Sequence, residues 1–533
     1  MAGYSAQRLS PANSNLERAF SSEEIRITAA RDERSVALPP HPDNGDEALY
    51  ETKVGNYSKG LPHNSRGEVD LAAYQSMLTA LNTGRVEDFE TITLGGSAPL
   101  IDPQAALAFD MEGTDSHQLG LPPPPAVASE AKAAEAVEVY WMALMRDVHF
   151  SHYEHSELAE EACRELSKLH SFSRLLDGRH EAVTPKTLFR GFTSADLVGP
   201  FVSQFLYQTL EFGAAEIIQR FQTLLPLSHG GTDWLTDFPS WLDVQNGAGP
   251  LAAAWSAPSA APNRLDPTRR YIRCGRDISQ YVHVDVLFEA YFNACLFLID
   301  SNAPKNPGNP YVGSKTQTGF GTFGSPHIKT LVAEVSTRAL KAVWYQKWLV
   351  HRHLRPEAYG GLVHNAVTGV KQELTLPSAI LNSKAVERCF SRNGTYLLSH
   401  AFPEGCPQHP SYAQGHGTVA GACTTIIKAF FDASWEIPNP VVPSEDGTSL
   451  LPYNGSETLT VGGELNKLAA NIALGRNHAG VHYRSDYAHS VLLGEQVAIS
   501  VLRDQLATYN ELPAIRAKGW SFTGFRGDTV TLA

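Results

Sequence analysis

The sequence predicts an all-α fold of helical bundles with long loops and an extended N-terminal arm. Apolar residues recur at helical spacing, and no Val/Ile alternation is long enough for a sheet, apart from a short hairpin arm suggested near residue 458. Loops rich in Gly, Pro and Asn separate the helices, which pack as bundles. The predicted helical segments are 127–170, 201–225, 278–300, 328–353, 413–432, 463–474 and 487–507.

The chain divides into three parts. Residues 1–60 are polar and turn-rich, which predicts an extended arm that packs on another surface or on a second subunit. Residues 61–300 form an N-terminal helical region. Residues 301–533 form a C-terminal helical bundle that contains the chemically informative residues. We expect these parts to make one continuous structural unit.

Composition excludes several classes of protein. The 533 residues are 43% hydrophobic and 19% charged, as in globular proteins. The 43 Lys and Arg against 56 Asp and Glu give a formal charge of −13. This excess argues against a nucleic-acid binder and against attachment to an anionic membrane surface. A small anion could still bind in a local basic pocket.

Targeting signals are not recognisable. No stretch reaches 18 apolar residues without a charge, so no transmembrane helix is predicted. The N-terminus lacks a basic start followed by an apolar run, which predicts no Sec signal peptide and a cytoplasmic location or leaderless export. The six cysteines include no CxxC pair, so most are predicted to be free thiols, although Cys389 and Cys406 could pair.

The first informative segment is WYQKWLVHRHLRPEAYGG, residues 344–361. Lys347 and Arg355 are eight residues apart, about two turns of a helix and roughly 80° of rotation, so both cations can lean toward one side. Pro356 is expected to stop or kink that helix. A solvated basic face that includes residues 351–353 is the alternative interpretation.

The second segment is HPSYAQGHGTVAGAC, residues 409–423. Gly415-His416-Gly417 opens an apolar helical run. Glycine at a helix N-terminus lets backbone N–H groups approach an anion closely, and His416 would then lie beside that anion. A glycine-rich helix start with a chance histidine is the alternative.

The third segment is LGRNHAGVHYRSD, residues 474–486. Arg476 and His482 lie six residues apart, on opposite sides of a helix, so they converge only if the two glycines turn the segment into a loop before a helix. Asp486 could accept from one imidazole nitrogen of His482 and leave the other free as a metal ligand. The alternative is a surface loop of mixed charge.

Together the three segments predict one anion site. Lys347, Arg355, Arg476 and the Gly415 N–H form a cradle of the kind that binds phosphate-like oxyanions. Two histidines beside it supply either a nucleophile and an acid, or a metal ligand and an acid–base group.

This constellation resembles the vanadium-dependent haloperoxidases, which share their core with the type 2 phosphatidic acid phosphatases and the bacterial acid phosphatases. The resemblance extends over about residues 15–505 and is most specific to the bromoperoxidase branch of red algae and bacteria. It implies a core of the two four-helix-bundle type and a vanadate cofactor, whose site phosphate can occupy instead. The supporting segments are VGNYSKGLPHNSRGEVD (54–70), RDISQYVHVDVLFEAYFNACLFL (276–298), GFGTFGSPHI (319–328) and HPSYAQGH (409–416).

The resemblance also implies a role for each residue. His482 matches the histidine that bonds vanadium, with Asp486 behind it, and His416 matches the acid–base histidine. Lys347 would in addition polarise bound peroxide. The residues implied to contact the vanadate oxygens are Lys347, Arg355, Gln414, Gly415, His416 and Arg476.

Three positions bear on the halide and on cofactor affinity. His409 matches a second pocket histidine of the bromoperoxidases, and Trp344 lies where brown-algal members have a pocket-wall tryptophan and red-algal relatives an arginine. Gln414 replaces the usual serine. Its longer side chain reaches the oxyanion only if the loop backs away, and otherwise points elsewhere, so altered cofactor affinity or a shifted pocket is expected.

The implied enzyme is a haloperoxidase that oxidises bromide or iodide with hydrogen peroxide to hypohalous acid equivalents, which halogenate small organic nucleophiles. A homo-oligomer, dimeric or larger, is also implied. The runner-up is an acid-phosphatase-type phosphomonoester hydrolase, with His482 as nucleophile and His416 as acid. The chain length and the lack of membrane helices weigh against it. A helical interaction protein with a vestigial anion site is the third interpretation.

Overall fold

The computed structural model describes residues 15–249 and 264–533. Helices dominate this part of the chain, which confirms the predicted fold class. In chain order the helices are α1 (Asn15–Ser35), α2 (Asp46–Leu49), α3 (Leu71–Thr83), α4 (Val86–Phe89), α5 (Glu130–Leu144), α6 (Glu157–Leu166), α7 (Phe238–Gln245), α8 (Gly275–Val284), α9 (Glu289–Asp300), α10 (Ser325–Tyr345), α11 (Pro356–Val367), α12 (Ser378–Leu381), α13 (Lys384–Asn393), α14 (Gly415–Phe430), α15 (Val461–His478), α16 (Arg484–Thr508) and α17 (Leu512–Lys518).

The strands are short and pair in antiparallel twos. The pairs are β1 (Leu210–Phe212) with β2 (Ala215–Ile217), β3 (Phe221–Leu224) with β4 (Leu265–Arg270), β5 (Val441–Pro443) with β6 (Leu450–Pro452), and β7 (Ser521–Thr523) with β8 (Thr529–Thr531). Among the described helices, none alone has the length and apolar character of a membrane span. Only α8 and α9 taken together do, and the chain bends by 95° between them.

Helix α14 lies at the centre of the C-terminal bundle, where it packs against α16, α10 and α15. Every residue of α14 except His416 is buried. Two glycines allow α14 and α16 to approach closely: a Cβ on Gly421 would lie 2.0 Å from the Val491 carbonyl oxygen, and one on Gly494 would lie 1.9 Å from that of Thr418. Larger residues here would push the two helices apart.

A second group of helices surrounds α5, which is buried along most of its length. Helix α5 contacts α6, α12 and α13, and also α15 of the C-terminal bundle, while α8 packs along α15. One hydrophobic cluster consequently extends from Leu119 to Leu532. The domain boundaries at residues 60 and 300 stay predictions.

The segment 201–225 was predicted to be helical, and that prediction is wrong. All of it is described, and it forms a short 3₁₀ turn followed by β1, β2 and β3. Gly213, with a φ of 65°, lies in the two-residue turn between β1 and β2, which favours a hairpin. Strand β3 pairs with β4, about 40 residues later in the chain, a partner that helical periodicity could not reveal.

Two smaller features also differ from expectation. The N-terminal arm, predicted to be extended, contains helix α1; residues 1–14 lie outside the described part. The hairpin arm suggested near residue 458 is reduced to one isolated antiparallel bridge, between Glu436 and Thr460, and Thr460 then caps α15 by accepting from the Gly463 N–H at 3.2 Å. All six cysteines are free and buried, so Cys389 and Cys406 are not paired.

Candidate active site

Lys347 and Arg355 lie on either side of a break in the helical path. Lys347 belongs to a π-helical segment, Gln346–His351, that continues α10 and ends at Arg352 in the left-handed conformation (φ 36°). Arg355 is the N-cap of α11, and Pro356 is its first residue. The predicted single helix that Pro356 stops is therefore wrong. Proline begins the next helix, where its missing N–H removes no hydrogen bond.

Helix α14 begins at Gly415, which confirms the predicted helix start. The N–H groups of its first turn have no acceptor within the helix, and they lie at the positive end of the helix dipole. His416 is the second residue of this turn. The helix therefore presents backbone donors and one imidazole at the same end.

Arg476 and His482 reach the site by a different path from the one predicted. Arg476 lies in the last turn of α15, and Gly475 is also helical, so the predicted loop at that glycine is wrong. The chain reverses at Gly480, which has a φ of 89°. His482 then lies two residues before α16, and Asp486 lies in the first turn of that helix.

His482 is held in one tautomer. Its Nδ1 lies 2.7 Å from Asp486 Oδ2, as predicted, and the same carboxylate oxygen accepts from the Ser411 hydroxyl at 2.5 Å. Its Nε2 accepts from Arg355 Nη1 at 2.9 Å. Burial lowers the pKa of His482 well below its ordinary value, and the charges of Arg355 and Lys347 lower that pKa further. The imidazole is therefore neutral, with its proton on Nδ1 and a lone pair on Nε2.

The three predicted cations are buried and have only uncharged partners. Lys347 Nζ donates to the carbonyl oxygens of residues 410 and 411, at 2.6 and 2.8 Å. Arg355 donates to two backbone carbonyls, at 2.8 and 2.9 Å, and to two histidine rings. Arg476 Nη1 donates to one carbonyl at 2.7 Å, while its Nε has no partner among the described residues. None of the three forms an ion pair with a described carboxylate.

These cations lie close enough to act on one another. Burial lowers the pKa of Lys347 well below its ordinary value, and Arg355 lowers that pKa further. Burial likewise lowers the pKa of Arg476 to about 10, although Asp285 opposes the shift. An anion bound among the three would stabilise all of their charged forms.

His416 faces a carboxylate that the sequence analysis did not identify. Its Nε2 lies 3.2 Å from Asp285 Oδ1, in the turn after α8. A carboxylate at Nε2 favours the tautomer with its proton there, which leaves Nδ1 free to accept a proton. Asp285 lies within the segment RDISQYVHVDVLFEAYFNACLFL that supports the family resemblance, but no spacing rule singles it out.

His409 and Trp344 form a wall beside the cations. Their ring centroids lie 4.7 Å apart, and Arg355 Nη2 lies 3.0 Å from His409 Nδ1. A Cβ on Gly415 would lie 3.4 Å from the Trp344 ring, so the indole covers the start of α14. Burial, followed by the charge of Arg355, lowers the pKa of His409 well below its ordinary value.

Gln414 uses its amide on a neighbouring helix. Its Nε2 donates to the Ala473 carbonyl of α15 at 2.8 Å. Its Oε1 is buried without a partner among the described residues and lies 3.0 Å from where a Cβ on Gly417 would be. Of the two alternatives for this residue, the structure thus favours a side chain that points elsewhere than the cradle.

Comparison with known proteins shows which family this chain belongs to. A family model of the VCPO second helical-bundle domain matches residues 392–511. The vanadium-dependent bromoperoxidase of Corallina officinalis is 35% identical, over 94% of this chain and 97% of the relative, and that of Ascophyllum nodosum is 32% identical, over 98% and 93%. The chain belongs to the vanadium-dependent bromoperoxidase family.

The structural likeness to a bromoperoxidase is equally extensive. The second vanadate-dependent bromoperoxidase of Ascophyllum nodosum, solved as a homohexamer, has a TM-score of 0.88 and 29% identity, over 100% of this chain and 93% of that one. Within this bromoperoxidase fold, all the sequence-predicted residues lie in one region except Gln414, whose side chain is engaged with α15. Two contacts of the site follow from no sequence motif: Asp285 on His416 and Ser411 on Asp486.

Proposed function

We propose that this protein is a vanadium-dependent haloperoxidase that oxidises bromide or iodide with hydrogen peroxide, and that the cradle of Lys347, Arg355 and Arg476 is its vanadate site. One observation supports this assignment most directly. Three buried cations without a carboxylate partner surround a neutral imidazole whose Nε2 carries a lone pair. Buried charges require a partner, and an oxyanion supplies it.

The donor set fits vanadate. His482 would hold the metal through Nε2, because Asp486 fixes its proton on Nδ1. The three cations would balance the oxyanion charge, and the unpartnered Nε of Arg476 offers a further donor. Phosphate is an oxyanion of similar shape that the same groups would bind. A phosphatase is not favoured, because the relatives that match nearly the whole chain are bromoperoxidases.

When bound, vanadate supplies a Lewis-acidic centre at which peroxide becomes electrophilic enough to oxidise a halide. His416 would accept the proton of the incoming peroxide at Nδ1, while Asp285 stabilises the imidazolium through Nε2. His416 would later return that proton to the leaving oxygen. The Lys347 ammonium would donate a hydrogen bond to the peroxide and withdraw charge from the oxygen that the halide attacks.

The partners follow from this chemistry. Peroxide and halide are the substrates, and small organic nucleophiles would take the halogen outside the cradle. The wall of the buried His409 and the half-buried Trp344 supports bromide or iodide, which lose hydration more readily than chloride. A homo-oligomer is supported by the homohexameric relative.

An orthovanadate titration of the metal-stripped protein tests the function. Bromination of monochlorodimedone with peroxide and bromide should rise saturably with vanadate, and phosphate should compete. His229→Ala, an exposed histidine outside the site, is the matched control for His482→Ala and should retain full activity. Vanadate-independent bromination, or normal activity in His482→Ala, would contradict the proposal. Hydrolysis of an aryl phosphate without bromination would instead identify the protein as a phosphatase.

A further inference from the structure

Two histidines and a glutamate meet at the protein surface, in a cluster that the proposed function does not use. His149 Nδ1 lies 3.2 Å from Glu445 Oε1, and His152 Nε2 lies 3.2 Å from Glu445 Oε2. With one ligand atom taken from each residue, the three atoms lie within 4.8 Å of one another. His152 and Glu445 are exposed and His149 is partly buried, so solvent ions can reach the cluster.

The local backbone places the two imidazoles on the same face. His149 caps the 3₁₀ helix Phe150–His155. A 3₁₀ helix has three residues per turn, so positions three apart lie one above the other. The rings of His149 and His152 are accordingly stacked, with centroids 5.1 Å apart. A hydrogen bond of 2.9 Å from the Phe150 N–H to the Arg273 carbonyl anchors this turn.

Glu445 comes from the turn that joins β5 and β6, and hydrogen bonds within the turn fix its backbone. Asp446 accepts from the Ser444 hydroxyl at 2.7 Å and from the Thr448 N–H at 3.1 Å. Gly447 adopts a φ of 69°, and a Cβ there would lie 2.6 Å from the Arg273 side chain. The three ligand groups are therefore held by backbone that is already ordered.

The geometry and chemistry suit a transition metal. Metal–ligand bonds of 2.0–2.2 Å in a tetrahedron place neighbouring ligand atoms roughly 3.3 Å apart. Each imidazole nitrogen lies 3.2 Å from one Glu445 oxygen, His149 from Oε1 and His152 from Oε2, so small side-chain rotations bring three ligand atoms to that spacing. Two imidazoles and one carboxylate form a known zinc ligand set that leaves a fourth position for water. Calcium and magnesium prefer oxygen ligands.

We propose that His149, His152 and Glu445 bind a divalent transition-metal ion of the Zn²⁺ type. The ion joins the turn after α5 to the β5–β6 hairpin, which lies in the connection between α14 and α15. It is separate from the vanadate site. His149 and Glu445 line a cavity of about 380 Å³. A small molecule in this cavity could reach the fourth coordination position of the metal ion.

Calorimetric titration of the chelator-treated protein with ZnCl₂, in a phosphate-free buffer at neutral pH, tests this site. The wild type should bind one ion per chain at this site, and its Tm should rise with Zn²⁺. His152→Ala and Glu445→Gln should lose that ion and the Tm shift. His155→Ala is the matched control, because His155 is exposed on the same 3₁₀ helix but lies outside the cluster.

Co²⁺ provides a second readout that does not depend on stability. Bound at two imidazoles and a carboxylate, it should give visible d–d absorption in the wild type and in His155→Ala, and not in Glu445→Gln. Equal Zn²⁺ stoichiometry and affinity in the wild type, His152→Ala and Glu445→Gln would overturn the proposal. The absence of a binding event in the wild type would overturn it as well, leaving two histidine–carboxylate ion pairs.

Discussion

Arg146 and Arg276 are buried as deeply as Lys347 and Arg355, but the surroundings of the two groups differ. Arg146 and Arg276 share Asp233, whose Oδ1 lies 2.7 and 2.9 Å from their guanidinium nitrogens. Lys347 and Arg355 contact only carbonyls and imidazoles. Burial lowers the pKa of all three arginines. Asp233 and Asp147 outweigh that effect at Arg276, whose pKa is raised, whereas the pKa values of Arg146 and Arg355 stay below their ordinary value.

The same contrast holds across the described residues. Eleven lysines and arginines are buried, and seven of them form ion pairs. Those seven are Lys59, Lys132, Arg146, Arg174, Arg276, Lys467 and Arg484. Of the other four, three form the candidate site and Lys428 lies over the Phe525 ring. A buried cation alone therefore does not mark a function; a cluster of them without carboxylates does.

Removing the shared carboxylate should have the largest effect. Asp233→Asn leaves the buried Arg146 without its ion-pair partner and Arg276 with Asp147 as its remaining one, so we expect the free energy of unfolding to fall by about 3–5 kcal/mol. Urea denaturation measures this change. Asp177→Asn, in an exposed ion pair with Arg179, should leave the free energy of unfolding nearly unchanged. Equal stability of Asp233→Asn and the wild type would remove the contrast between the two regions.

Replacing one unpaired and one ion-paired buried lysine should separate activity from stability. Lys347→Met should lower vanadate-dependent bromination about 10²–10³-fold but change stability by no more than about 2 kcal/mol, because losing two carbonyl hydrogen bonds is offset by removing an unpaired buried ammonium. Lys467→Met leaves the buried carboxylate of Glu464 without its ion-pair partner. It should therefore destabilise the fold by about 3–5 kcal/mol and leave the folded enzyme active. Bromination kinetics and urea denaturation of both variants measure these effects. Lost stability in Lys347→Met with lost activity in Lys467→Met would contradict the distinction between unpaired and paired buried cations.

The carboxylate behind the metal-binding imidazole should have an intermediate effect. Asp486→Asn no longer fixes the His482 proton on Nδ1, so vanadate affinity should fall about 10–100-fold. The vanadate concentration for half-maximal bromination measures it. Saturating vanadate should restore much of the activity, which distinguishes this positioning role from a direct role in the reaction. Unchanged affinity would show that Asp486 does not orient His482.

The smallest expected effect is at Gln414. Gln414→Ser would restore the serine usual in the family, and one hydroxyl hydrogen bond to a charged oxyanion should raise vanadate affinity by about tenfold. Gln204→Ser, at another buried glutamine, is the control and should leave that affinity unchanged. Weaker vanadate binding in Gln414→Ser would show that the amide contact with Ala473 supports the site.

Sequence patterns predicted most of the site because its residues are concentrated in three short motifs. The start of α14 at Gly415 and the contact of Asp486 with His482 follow from local rules for helix ends and spacing. The path from Lys347 to Arg355 does not, because a π-helical segment and a left-handed Arg352 separate them. Asp285 is close to His416 only through the packing of α8, which no local pattern encodes.

Prediction of the fold is likewise limited to what local sequence patterns encode. Helical periodicity located six of the seven predicted segments, where the apolar stripe is satisfied by packing between helices. It failed at 201–225, where β3 pairs with a strand that is distant in sequence and tertiary context overrides propensity. The unpaired state of the buried cations is likewise a property of the three-dimensional structure, and it is what distinguishes the site from Arg146 and Arg276.

Calorimetric titration with orthovanadate tests the central claim most directly, because it measures binding of an oxyanion among the unpaired cations without relying on turnover. The metal-stripped wild type should bind one vanadate per chain in competition with phosphate. Arg355→Met and His482→Ala should lose that binding, while Arg179→Met, at an exposed ion pair, should retain it. Wild-type protein that binds neither vanadate nor phosphate, or His482→Ala that binds vanadate as tightly as the wild type, would contradict the account.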